Sequence, residues 1–570
     1  VVSVCCFCEI MMNLMSCVLD RDYWYAEAQK DLTKRLQEFK DNKPVAKSII
    51  MFIGDGMSLA TVTAARELKL QRGGGSRDHG GLIWDHFPAA ALSQTYNLNA
   101  QTGESSACAT ALLCGVKANY ETLGLDGTAS FENCTSSLKS GVPSVLQWAQ
   151  EAGKWTGIVT TTRVTHATPA ALFAHSPSRY WEDDSKVPPA SRKICKDIAL
   201  QLVDNEPGRN INVVLGGGRR HWLPTVARDP EQPSAEGRRL DGRNLIDDWL
   251  RDKKRRKLRA DYVWNKEQFD AIDPDKIDYL LGLFEYSHMG FAADREPGPG
   301  ADPTLLEMML TAISILEKNP KGFFLMVEGG RIDHAHHYNN PYRALDETLQ
   351  LEAAVRAAVS RADLLLVTAD HGHVMTVGGH SAPREHPILD ADVKLSDVDG
   401  LPYSTLLYGS GPGHGIRPAP NTEPGPAPAH RDAVHAAAAP RQWATHGAED
   451  VPVYAMGPLA TVLFSGTFEQ SYIPHAIAYI ACLGEQISRC EDIHNFTQSQ
   501  VPSCLEVKSP PQNSPPLPYQ PLPPGKAVLA SSVVADDFIP SKNAVFHSRS
   551  SELQTLLCTI MTTMVCWTVF

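Results

Sequence analysis

GFFLMVEGGRIDHAHH (322–337) opens on a short apolar run and then releases a glutamate, an aspartate and three histidines. An apolar run of that length, bounded by glycines, reads as a strand buried on both faces. Carboxylates and imidazoles gathered so densely at its end point to something positive held among them. Four more runs repeat the pattern: SIIMFIGDG (48–56), GIVTTTR (157–163), INVVLGGG (211–218) and DLLLVTADHGH (363–373). Helix-like segments lie between them, such as PTLLEMMLTAISILEK (303–318) and ALDETLQLEAAVRAAVSR (344–361). Buried strands alternating with amphipathic helices predict an α/β fold, a central, mostly parallel sheet flanked by helices on both faces. Such sheets bind ligands off the carboxyl ends of their strands, which is where Asp55, Glu328, Asp333, Asp370 and His371 fall. The triple glycine at 216–218 is followed by no Gly-Lys-Ser/Thr, so it reads as a tight turn and not a phosphate loop.

Asp333 and His337 stand four residues apart, so one helical turn aims both at a common ion. With no Cys-x-x-Cys pair in the body of the chain, imidazole and carboxylate are the available ligands. That mixture suits zinc, while oxygen-rich positions suit magnesium. A nucleophile is offered by QTGESSACATALLCGVKAN (101–119), where Ser105 and Ser106 precede a helix-prone run of small residues. A serine at a helix start gains from the dipole, which favours an incoming anion and a developing alkoxide; its plain reading is an N-cap. There is no Gly-x-Ser-x-Gly elbow, and metal coordination is the other route to an activated hydroxyl.

The chain has 570 residues, 43% of them hydrophobic, enough for a large core and more than one structural unit. A net charge of −12 argues against a nucleic-acid partner, and the basic run RDKKRRKLRA (251–260) reads as a solvated helix face. Residues 1–19 read as a signal peptide or a misread start, and residues 20–490 as the catalytic domain, with a Gly/Pro/Ala/His-rich surface insertion at about 375–445. Residues 491–545 form a Pro-rich linker or stalk, and 546–570 a lipid-anchor signal whose apolar tail is short for a bilayer span. Sequons at Asn133 and Asn495 fit an extracellular, glycosylated chain. DRDYWYAEAQKDLTKRLQEF (20–39) is an amphipathic arm that packs either on a partner subunit or on its own domain.

FIGDGM (52–57), ESSACATALLCGVKAN (104–119), VTTTRVTHATPA (159–170), VEGGRIDHAHH (327–337), VTADHGH (367–373) and THGAEDVPVYA (445–455) occur in that order. Together they give the chain a resemblance to the eukaryotic alkaline phosphatases, close to the membrane-attached animal enzymes. The resemblance implies a phosphorylated Ser105, Arg179 as phosphate clamp, and Asp333, His337 and His446 on a first zinc. It further implies Asp370 and His371 on a second zinc, with Asp55 bridging to a magnesium held by Thr168 and Glu328. His166 and Glu104 stand just behind these ligands. Glu231, Phe284 (through its carbonyl), Glu285 and Asp302 match a calcium site. Cys134–Cys195 and Cys482–Cys490 match the family's disulfides, leaving Cys108 and Cys114 free.

The implied activity is zinc- and magnesium-dependent hydrolysis of phosphate monoesters at alkaline pH, by a homodimer held on the outer cell surface by a glycosylphosphatidylinositol (GPI) anchor. A catalytically weakened surface receptor is the alternative. A two-metal phosphodiesterase or sulfatase is a third reading, for which threonine or cysteine is expected in place of Ser105. Four positions depart from the family pattern: Glu104 stands for the usual aspartate, Cys108 for a threonine or serine, and Gly447-Ala448 for Ala-Gly.

Overall fold

A computed structural model describes residues 20–36, 45–73, 81–295, 298, 301–379, 386–416 and 430–491. The expected signal peptide, linker and lipid anchor, Asn495 and the side chain of Cys490 lie outside the described residues. The strands are β1 (Ile49–Gly54), β2 (Ala89–Gln94), β3 (Trp155–Arg163), β4 (Val213–Gly217), β5 (Ala260–Val263), β6 (Tyr279–Leu283), β7 (Phe323–Gly329) and β8 (Leu364–Thr368). These are followed by β9 (Gly372–His373), β10 (Met375–Val377), β11 (Leu406–Gly411), β12 (Ala437–Pro440), β13 (His446–Gly447), β14 (Val451–Met456) and β15 (Gly466–Glu469). The ten-stranded central sheet has the order β15-β2-β14-β8-β1-β7-β3-β4-β6-β5. Only β14 runs against the other strands of that sheet.

Burial explains why the apolar runs are strands. Ile49, Met51 and Ile53 enter the core on one face of the sheet, and Ile50 and Phe52 the core on the other. Each such side chain contributes roughly 1.5–3 kcal/mol on leaving water, and a polar residue inside a strand is admitted only with a partner, as with the buried Thr156 of β3, whose hydroxyl accepts from Gln150 Nε2. The helices that cover the sheet include α1 (Arg21–Leu36), α2 (Leu59–Arg72), α3 (Ser105–Cys114), α4 (Leu305–Leu316), α5 (Arg331–His337), α6 (Pro341–Ala358) and α7 (Tyr472–Ala481). The amphipathic arm is α1, and it lies on its own domain. Trp24, Tyr25 and Leu32 join the core, and the Tyr25 ring meets His475 of α7 edge-on at 4.6 Å.

Two expectations change in detail. Gly216 and Gly217 belong to β4, and only Gly218 makes the turn, in the left-handed region at φ 103°. The basic run is not wholly solvated: Lys253 is buried over the rings of Trp249 and Tyr279. Between 375 and 445 the described residues build a separate sheet, β10-β11-β12. That sheet grips α5. The ring of His336 bonds Tyr408 Oη and Thr61 Oγ1, both at 2.9 Å, while Asn339 donates to Ser410 O and accepts from Gly413 N–H. Among the described residues no helix is long and apolar enough to cross a membrane.

Candidate active site

The crevice lies where β1, β3, β7 and β8 end. Ser105 is the first residue of α3 and is buried. The N-cap is Glu104, whose carboxylate accepts from the backbone N–H groups of Ser106 and Ala107. Ser105 is therefore released from capping, and its Oγ lies 3.2 Å from His371 Nε2. Glu104 also accepts from Ser106 Oγ, Glu121 N–H and Arg179 Nη1, the last at 2.8 Å. Burial alone would raise this carboxyl, but Arg179 and the N–H donors hold it below its usual range. The extra methylene of Glu104 is accommodated, and the arginine contact is made. Arg179 Nη2 also lies 3.1 Å from His166 Nε2, so the guanidinium is held from two sides.

Three adjoining donor sets surround this serine. Asp333, His337 and His446 come together with His373, which the sequence reading did not single out. His337 Nδ1 donates to Ala444 O at 2.7 Å and His446 Nδ1 to Gly103 O at 2.9 Å. Both Nε2 atoms therefore present lone pairs, yet they face each other at 3.2 Å and lie 3.3 and 3.4 Å from Asp333 oxygens. Lone pairs aimed at one another repel unless a cation sits between them, and backbone acceptors fixing the far nitrogen are typical of metal-ligating histidines. His373 Nε2 lies 2.6 Å from Asp333 Oδ1 and steadies that carboxylate. The β9–β13 pair sets His373 opposite His446. A Cβ on Gly447 would meet only the carboxylate end of the Glu449 side chain, 1.9 Å from Oε2, which can turn aside, so either order of glycine and alanine suits the local backbone.

The second set is Asp55, Asp370 and His371, with His371 Nε2 3.4 Å from an oxygen of each aspartate. The third is Asp55, His166 and Glu328, beside the buried Thr168. Both Asp55 oxygens, Asp370 Oδ2, Glu328 Oε1, Thr168 Oγ1 and His371 Nδ1 are buried without a hydrogen-bond partner. Burial, then the charges of Asp370, Asp333 and Glu328, push the Asp55 carboxyl well above its ordinary value. Orphaned oxygens that repel one another in a dry crevice are the donor chemistry of a cation site. The imidazole-bearing sets fit zinc, and the oxygen-rich set with Thr168 fits magnesium.

Away from the crevice, Glu231, Glu285 and Asp302 converge at the end of β6, next to Phe284. Burial and mutual repulsion push Glu285 up to about 7 and Asp302 up to about 6. Cys134 and Cys195 form a disulfide, Cys482 is disulfide-bonded, and Cys108 and Cys114 are free. The Cys108 thiol donates to Thr95 O, a packing role in keeping with its buried position. Asn133 is exposed and caps the short helix Cys134–Ser137.

Phosphoryl transfer needs positioning and neutralised charge more than covalent chemistry from the protein. A crevice that offers cation donors, an arginine fork and a hydroxyl side by side defines a metal-dependent phosphoryl hydrolase. The family profile "Alkaline phosphatase" matches residues 46–483. The chain is 46% identical over 480 residues to the tissue-nonspecific alkaline phosphatase of Gallus gallus, covering 83% of this chain and 91% of the relative. It is 41% identical over 481 residues to the membrane-bound alkaline phosphatase of Bombyx mori, covering 82% and 86%. The solved alkaline phosphatase of Thermus thermophilus shares the fold at a TM-score of 0.54 and 24% identity, with 78% of this chain and 94% of that one covered. The chain belongs to the alkaline phosphatase family, whose members hydrolyse phosphoric monoesters and depend on metal ions.

Proposed function

We propose that this chain hydrolyses phosphate monoesters at alkaline pH through a phosphoserine on Ser105, with two zinc ions and one magnesium ion, as a homodimer on the outer cell surface. The observation that carries the reading is the Ser105 hydroxyl, freed from capping by Glu104 and placed 3.2 Å from His371 amid orphaned buried donors. Asp333, His337 and His446 would hold one zinc, Asp55, Asp370 and His371 the other, and Asp55, Thr168 and Glu328 the magnesium. When bound, these ions supply Lewis-acid charge that makes the serine hydroxyl, and then water, competent nucleophiles. Ser105 Oγ loses its proton to water and attacks phosphorus in line as the bond to the leaving oxygen breaks, and that oxygen takes a proton from water and departs as the alcohol. Water then cleaves the Oγ–P bond from the opposite side, restoring the hydroxyl and releasing inorganic phosphate. Arg179 presents a planar fork to two phosphate oxygens, with Glu104 and His166 fixing its plane. Glu231, Phe284, Glu285 and Asp302 would hold a structural calcium.

The test is hydrolysis of a monoester and a diester near pH 9, with and without chelator, alongside Ser105→Ala. Chelator-sensitive monoesterase activity that labels the protein with phosphate, and is lost in Ser105→Ala, is the expected result. A folded, inactive protein indifferent to added zinc would instead mark a surface receptor. Attachment to the membrane by a glycolipid predicts release by a phosphatidylinositol-cleaving lipase, and retention after complete digestion would overturn it.

A further inference from the structure

The basic run RDKKRRKLRA (251–260) takes no part in the crevice. It begins on the second half of the helix Leu245–Arg255, whose buried residues are Leu245, Ile246, Trp249 and Lys253. Arg251, Lys254 and Arg255 are exposed, as is Lys257 just past the helix end. Beside them opens a groove of about 240 Å³, walled by Arg209, Arg243, Arg251 and Arg255. Three aspartates answer these cations, and none has enough oxygen for all of them. Asp204 lies 3.1 Å from Arg243, and Asp248 lies 2.6 Å from Arg243 and 3.0 Å from Arg251. Asp252 is divided among Arg209, Arg255 and Arg256, at 2.7, 2.8 and 3.2 Å.

Three carboxylates thus face five guanidiniums. The side chains of Arg251 and Arg255 stay 73% and 75% exposed, and each spends on aspartate only part of its five N–H donors. Lys254 and Lys257 have no carboxylate partner among the described residues. A chain of net charge −12 therefore carries a local surplus of positive charge around one groove.

We infer that this groove and helix face dock a sulfated polysaccharide, a choice of occupant that rests on the outer-surface location proposed above. A guanidinium fork meets two oxygens of a tetrahedral anion at once, which suits a sulfate group seated between the arginines of the groove. Arg251 and Arg255 stand about 6 Å apart along the helix axis, with Lys254 between them and Lys257 beyond. Charge strung out in this way follows a linear polyanion and not a single small ion. A basic helix that lies on a bilayer also presents large apolar side chains to it. Among the described residues, none of the exposed large apolar side chains falls between 241 and 337. Nucleic acid is disfavoured by the charge of the whole chain. None of these cations belongs to the donor sets of the crevice, so docking sets where the protein is held and leaves turnover unchanged.

The test passes the full chain over immobilised heparin and titrates it calorimetrically with the same polymer. The combined variant Arg251→Gln, Lys254→Gln and Arg255→Gln is expected to bind roughly 10- to 100-fold more weakly at fixed salt. The slope of log affinity against log salt should shrink by about 2. Asp247 is exposed on the same helix and has no cation partner among the described residues. Asp247→Asn is expected to bind about 2- to 5-fold more tightly, a gain that no folding defect would produce. Heparin affinity unchanged in the triple variant overturns the inference. Binding to vesicles of phosphatidylserine and phosphatidylcholine, with heparin ignored, overturns it too and marks a membrane-docking surface. Monoester hydrolysis is measured on the same preparations and should be equal in all three proteins, so failure of the phosphatase reading and failure of the docking site are told apart.

Discussion

Glu104 does two jobs with one carboxylate. Oε1 takes Ser106 Oγ, Ala107 N–H and Glu121 N–H, and Oε2 takes Ser106 N–H and Arg179 Nη1. The surrounding backbone is thus built for the longer side chain, and the aspartate usual in the family would fall short of part of this frame. Glu104→Asp is expected to lower kcat/KM by about 10- to 100-fold, since small misplacements of a positioning group carry that cost. Weaker inhibition by inorganic phosphate should accompany the loss, because Arg179 is the group set free. Activity at or above the wild-type level would show that the arginine is fixed by His166 and not by Glu104.

Legibility at this scale followed sequence distance. Asp333 and His337 declare themselves because one helical turn carries both, whereas His446 lies on β13 and could be assigned only by resemblance. His373 sits in the VTADHGH block, two residues after His371, where spacing alone gives it no role. His288 has neither motif nor spacing to mark it, and only the fold brings it to the rings of His166 and His334.

The elements divide in the same way. β1, β3, β4, β7 and β8 were legible because both of their faces are covered, which leaves long apolar runs between glycines. β2 reads AAALSQ and alternates buried with exposed residues, a weak signal in small side chains. β14 carries Pro452, a residue that argues against an interior strand, yet it lies between β8 and β2.

Among the helices, α6 holds a second kind of information. Glu347 is buried on it and accepts from Ala292 N–H at 2.7 Å, and burial pushes its carboxyl up to about 7. An unfolded glutamate titrates near about 4.3. The fold therefore favours the protonated form, so this contribution to stability is fully present below about pH 4.3 and is lost as pH rises through about 7. At alkaline pH the ionised group costs on the order of 3 kcal/mol. Glu347→Gln keeps the acceptor and removes the charge. It should raise the melting temperature at pH 8.5 and change it little at pH 5, and equal shifts at both would show that burial does not set this carboxyl.

For the whole molecule, the sheet and the crevice are one mechanical problem. The strands end where their carboxylates begin, and Asp55, Asp370 and Glu328 are fully buried beside Asp333. Stripping the cations leaves these groups uncompensated, and an unpaired buried charge costs about 3–5 kcal/mol. Chelation should therefore cost stability as well as activity, with a fall in melting temperature on the order of 3–5 °C, restored by zinc and magnesium together. The loss should also be local. α5 and the turns after β1 and β8 carry the donors, whereas β4, β5 and β6 rest on their own packing. Amide hydrogen exchange should then accelerate in α5 and those turns when zinc is removed by a chelator that spares calcium, and stay slow in β4–β6, because β6 ends at the residues proposed for calcium. Uniform acceleration across the sheet would mean that the ions hold the whole fold and not one edge of it. No acceleration in α5 would mean that its grip by the β10-β11-β12 sheet, through His336–Tyr408 and Asn339, suffices without metal.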